Sequence, residues 1–280
     1  MRFSVMEHSF TSKDFIERIK NPQLLSVLGA EKLSVGESVG LFFSEFGASI
    51  DRRLAAFEKS VITLDVEKFR KTIQRKEILF VKNAGLPVIV PETYTPGLGN
   101  MMAYTQFVAT DGVYLVSSMK TEAIRLYDWL KQLIKTGRPE TRFRWTITNF
   151  DAVLDRSEQF LKGLPSNPHR KTCTLGEVYV NFEELYSVLE TYNVSAKLLG
   201  ARDVEMASRE LSRVYELGQL LVEKIKTNDL VVDEKNLTEV ELVVNRFVEF
   251  TDICGAMMTL LNELAAVFRD QTETIVTKAK

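Results

Sequence analysis

The chain has 280 residues, is 45% hydrophobic and 26% charged, and carries a formal net charge of −2. That balance argues against wholesale disorder and against a protein held on nucleic acid or anionic lipid by its overall charge. Two cysteines, Cys173 and Cys254, are too few for a disulfide framework or a cysteine-rich zinc site, and leave room for at most one bridge.

Residues 1–10 carry Arg2, Glu7 and His8 and lack an apolar stretch of signal-peptide length. The expectation is a protein of the cytoplasm, or of a virion assembled there. The first predicted helix starts at Ser34, with Glu37 at capping-box spacing, and has Val39, Phe43, Phe46, Ile50, Leu54, Phe57 and Val61 on one side.

A second helix is predicted from 65 to about 80. Between 66 and 82 lie Lys68, Arg70, Lys71, Arg75, Lys76 and Lys82 against Glu67 and Glu77, a local balance of +4. Lys68, Lys71 and Arg75 share one helical face, and Phe69 and Ile73 another. A solvated amphipathic face is the plain interpretation; contact with nucleic-acid phosphates is the alternative.

Pro87, Pro91, Pro96, Gly97 and Gly99 break the pattern between 85 and 100, where Val88, Ile89 and Val90 suit a short strand or an extended loop. A helix start after the loop from Gly97 to Asn100 would offer free N–H groups to phosphate, so a phosphorylated small molecule is a second alternative. Neither GxxxxGK[ST] nor a complete GxGxxG is present, and a tight turn explains the glycines.

The stripe Val116, Met119, Ala123, Leu126, Leu130 and Leu133 predicts a helix ending near Gly137. The charged stretch 138–144 follows, its Arg138, Arg142 and Arg144 beside Trp145. A shorter helix is expected over 149–162. The Pro165- and Pro168-containing stretch 163–176 reads as an exposed loop. These breaks suggest an irregular, mainly helical region 1–145 and a helical bundle region 146–280 with a loop at 163–177, joined or continuous.

The C-terminal hundred residues are the most regular. Phe182, Leu185, Leu189, Tyr192, Ala196 and Leu199 form one stripe, with Asn181 and Glu184 as a capping box. Val204, Ala207, Leu211, Val214, Gly218, Leu221 and Ile225 form a second, after a break at Gly200. The third runs Val240, Val244, Phe247, Thr251, Cys254, Met258, Leu261, Ala265, Phe268, Thr272 and Ile275, its steps alternating four and three. Asn236 with Glu239, or Thr238 with Glu241, has the spacing to cap its start. Val243, Phe250, Met257 and Leu264 widen that face and are the candidate interaction residues. No apolar run reaches about 18 residues; that from 253 to 268 is interrupted by Asn262 and Glu263, so no membrane span is expected.

The expected fold is mainly α: a long antiparallel bundle with a C-terminal three-helix unit and a less regular helical N-terminal half holding the Pro/Gly-rich loop. Chemistry is sparse. His8 and His169 are the only histidines, and HExxH and CxxC are absent. No catalytic residue, metal or cofactor is expected. The features suit a non-enzymatic structural or assembly protein, such as a virion component of a tailed phage, working by self-association or with a protein partner.

Overall fold

A computed structural model describes residues 63–91, 93–94, 101–139, 141–164, 172–199 and 201–280. The predicted helix of 34–61, His8, His169, Gly200 and the loop from Gly97 to Asn100 lie outside them. In chain order the described elements are α1 Val66–Arg75, α2 Phe80–Asn83, β1 Pro87–Ile89, α3 Met101–Gln106, a π-helical segment Phe107–Gly112, and α4 Val113–Thr136. There follow α5 Phe150–Gly163, β2 Thr172–Thr174, α6 Leu175–Val178, α7 Phe182–Leu198, α8 Ala201–Lys226 and α9 Glu234–Lys278. The described fold is an all-α bundle apart from one two-stranded antiparallel ribbon, in which Val88 faces Cys173.

The bundle is organised by α9, whose 45 residues extend about 68 Å. Every member of its predicted stripe from Val240 to Phe268 is buried, as is Ile275. From Phe250 to Met258 all nine consecutive residues are buried, so helices surround the middle of α9 on every side. It packs on α1, β1, the π-helical segment, α4 and α5. By length and composition alone α9 is apolar enough to cross a membrane, which the count of uninterrupted apolar residues had not indicated. Within this fold 78% of its most apolar window is buried, as befits a core helix.

The strongest helix pairing is between α4 and α8, and α3 lies against α7. One continuous apolar core joins Val66 in α1 to Ile275 in α9, so side chains from both halves of the chain share it.

Local signals explain the ends. Asn181 accepts the N–H of Glu184 at 2.8 Å, while Glu184 reaches back to the N–H of Val180. At α9 the cap is Asp233, which accepts the N–H of Asn236 at 2.7 Å, one turn ahead of either predicted capping pair. The helix expected from 65 to about 80 divides in two, because Glu77 adopts a left-handed backbone with φ of 49°. Asn149 does the same ahead of α5, and Gly137 does so after α4.

Both cysteines are buried and neither is in a disulfide. Cys173 sits in β2 and Cys254 in the middle of α9, and no bridge joins them. Burial, with a smaller contribution from the Asp252 carboxylate, raises the Cys254 thiol well above its ordinary range, so it stays protonated and unreactive.

Candidate functional site

Three side chains on one face of α4 hold the irregular segment 141–147. Glu122 accepts the N–H groups of Thr146 and Ile147, Arg125 Nε donates to the carbonyl of Arg144, and Trp129 Nε1 donates to the carbonyl of Thr141 at 3.0 Å. Their spacing of three and four residues is that of a single helical face. From the other side, Glu239 on α9 accepts the N–H of Phe143 at 3.3 Å. An irregular segment with no sheet partner thus has five of its backbone groups bonded by side chains.

The segment carries an aromatic ladder. Trp129 meets Phe143 edge-on, Phe143 meets Trp145, and Trp145 stacks on Phe150 with centroids 3.8 Å apart and planes 5° from parallel. Phe250 closes the row against both Trp145 and Phe150. Fixed rings are rigid and amphipathic, so they present an apolar floor at little cost in conformational entropy.

Over this floor lies an open groove of about 610 Å³ between the segment, the start of α5 and the first turns of α9. Leu242 stands at its rim, 65% exposed. The rim charges are not uniform. Arg246 pairs with Asp151 at 3.1 Å and with Glu249 at 2.7 Å, and Asp155 lies 3.7 Å away. One guanidinium against three carboxylates leaves that end acidic. The hydrogen bond that Arg246 donates to Glu249 and the surrounding carboxylates hold the Arg246 pKa above its ordinary value, so it is charged at every working pH. At the other end Arg142 and Lys235 are exposed and have no ion pair among the described residues.

The predicted interaction stripe lies elsewhere than on the surface. Phe250, Met257 and Leu264 are fully buried and Val243 is 8% exposed. Their wide face is used inside the chain: a Cβ added to Gly112 of the π-helical segment would stand 3.1 Å from Met257 Cβ. Only Val243 reaches the groove wall.

Lys68, Lys71 and Arg75 are exposed on α1, opposite Val66, Phe69 and Ile73, which face the core. Among the described residues no group of three or more His, Cys, Asp or Glu side chains is placed to hold a metal ion.

Of the groove residues, the sequence singled out Arg142, Trp145 and Val243, with Thr238 and Glu239 only as helix caps. Glu122 did leave a signal: it stands three residues after Met119 and four before Leu126, inside the apolar stripe of α4, where a carboxylate needs dedicated partners.

No family model, curated protein or solved structure matches this chain.

Proposed function

We propose that this protein is a non-enzymatic assembly component that self-associates through the groove at the start of α9. The observation that carries this reading is the order of charges along the helix. Lys235 stands at one end of the groove, the net-acidic set around Arg246 and Glu249 at the other, and exposed Leu242 midway between Lys235 and Glu249. A two-fold axis at Leu242 would set Lys235 of each copy against the acidic end of its mate. The exposed leucines would meet over the aromatic floor. A patch that complements itself in this way suits an isologous dimer.

The setting is the cytoplasm, or a virion assembled there, such as that of a tailed phage. The short link from α8 to α9 supports the narrower description of 181–280 as a three-helix unit, although α8 finds its broadest contact on α4.

Sedimentation velocity tests the proposal. The expected result is a dimer that Leu242→Asp and Lys235→Glu each convert to monomer. Combining Lys235→Glu with Glu249→Lys should restore it, because both cross-axis pairs are then reversed together. A wild-type chain that stays monomeric at high concentration, or a dimer untouched by Leu242→Asp, overturns it.

A further inference from the structure

The far end of α9 gathers a second, oppositely organised surface. Lys76, just after α1, donates from Nζ to the carbonyl of Val276 at 2.8 Å. Asn83 of α2, itself buried, donates to the carbonyl of Lys280 at 2.9 Å and accepts its N–H at 2.9 Å. Two hydrogen-bonded links spanning about two hundred residues of sequence therefore bring α1, α2 and the last turn of α9 together. Each contributes cations. Lys68, Lys71, Arg75 and Lys76 belong to α1 and its cap, Lys82 to α2, and Lys278 and Lys280 to the end of α9; all seven are exposed.

Opposing charge is sparse. Of the cations of α1, Arg70 is paired, with Glu183 at 3.3 Å, and it also lies over the Tyr186 ring. Lys68, Lys71, Arg75, Lys82, Lys278 and Lys280 have no ion pair among the described residues. Asp65 at the N-cap of α1, Glu67, Glu77 and Glu273 are the exposed carboxylates on these elements, four against the seven cations. In a chain of net charge −2, this concentration of positive charge at one end is a local field, of the kind that steers an extended polyanion.

We infer that the joined surface of α1, α2 and the α9 C-terminus binds the phosphate backbone of nucleic acid without reading sequence. On the outward face of α1, Lys68, Lys71 and Arg75 form a line about 10 Å long, and Lys278 and Lys280 extend the charge beyond the helix. That face carries no large exposed apolar side chain, and no base-stacking aromatic or groove-reading helix distinguishes it. Contact is therefore electrostatic and salt-sensitive. Exposed Leu79 and Val81 beside Lys82 are the one feature an anionic bilayer would use in preference, so a vesicle belongs in the test. The surface is independent of the groove, whose near edge at Arg246 lies about 48 Å away along α9.

The test is fluorescence anisotropy of the full chain with labelled single- and double-stranded DNA of arbitrary sequence. With four phosphate contacts, affinity should fall on the order of 100-fold between about 50 and 200 mM salt. The triple variant Lys71→Glu, Arg75→Glu, Lys278→Glu should weaken binding at least tenfold with an unchanged circular dichroism spectrum. Lys135→Glu with Lys226→Glu, exposed in the last turns of α4 and α8 and outside both surfaces, should change it less than twofold. No binding at the low salt, or equal binding by the triple variant, overturns the inference. So does triple-variant-sensitive binding to phosphatidylserine vesicles without DNA binding, which assigns the surface to a bilayer.

Discussion

The fully buried carboxylate of Glu122 on α4 accepts the backbone N–H of Thr146 at 2.8 Å, and that of Ile147 at 3.1 Å, across 24 and 25 residues of chain. The Thr146 hydroxyl donates to the same oxygen. The second oxygen, Oε2, has no hydrogen-bond partner among the described residues. One half of the carboxylate is thus heavily used and the other is desolvated without return, which makes Glu122 a positional device more than a stabilising one.

Replacing Glu122 by Ala removes the acceptor and strands the buried amide of Ile147, together with the part-buried amide of Thr146. The expected cost is about 2 kcal/mol, from about 1–3 kcal/mol for the buried Ile147 amide with a smaller addition from that of Thr146. Glu122→Gln keeps one carbonyl oxygen in place and should cost clearly less. Urea unfolding measures both, and Trp145, stacked on Phe150, reports the segment through its fluorescence. A loss under about 1 kcal/mol in Glu122→Ala, with unaltered fluorescence, would show that the segment holds its shape without the carboxylate.

How far the fold could be read in advance depended on whether a period or a tertiary contact decided each element. The α9 stripe was legible because a 3.5-residue repeat allows one side of a helix to be apolar along its whole length. What the repeat did not convey was which surface covers it. Met257 and Leu264 extend an apolar face in sequence, yet the covering layer comes from the π-helical segment and α4, more than a hundred residues away. The groove was illegible for the same reason. Segment 141–147 has no periodic signal, and its shape is imposed by Glu122, Arg125, Trp129 and Glu239. The ribbon was half legible: Val88 looked extended, whereas its partner Cys173 lay in a stretch whose prolines suggested only a loop.

Gly137 ends α4 in the left-handed conformation, with φ of 72°, and donates its N–H to the carbonyl of Leu133 at 2.8 Å. That conformation alone would make Gly137→Ala cost about 1 kcal/mol. A second constraint acts here, since an added Cβ would stand 2.6 Å from the Val231 carbonyl oxygen in the link between α8 and α9. The two causes are separable. Asn tolerates positive φ but carries the same Cβ. Gly137→Asn should therefore destabilise nearly as much as Gly137→Ala, and thermal unfolding should place both well below wild type. Recovery of stability in the Asn variant alone would mean that conformation, and not the close approach of Val231, demands the glycine.

Alkaline pH offers a test of the core itself. Burial raises the phenol pKa values of Tyr104, Tyr179 and Tyr192 well above the ordinary value of 10.0. Hydrogen bonds oppose the shift in two of them, Tyr104 with Thr93 and Tyr179 with Gln271, without cancelling it. The Gln271 amide in turn donates to the carbonyl of Ile89, tying α7's approach, α9 and β1 into one buried set. The folded pKa is the higher one, so the native state keeps its phenol protons after the unfolded chain has begun to lose them. Stability from this source is full below about pH 10 and falls as pH rises above it, by up to about 1.4 kcal/mol per pH unit for each such tyrosine. Guanidinium unfolding at several pH values between about 8 and 11.5 should show that decline. Tyr179→Phe should start less stable, having lost its bond to Gln271, but should lose stability with a shallower slope. An unchanged slope in that variant, or tyrosinate absorbance from all three phenols near pH 10 while the chain remains folded, would place these rings in contact with water.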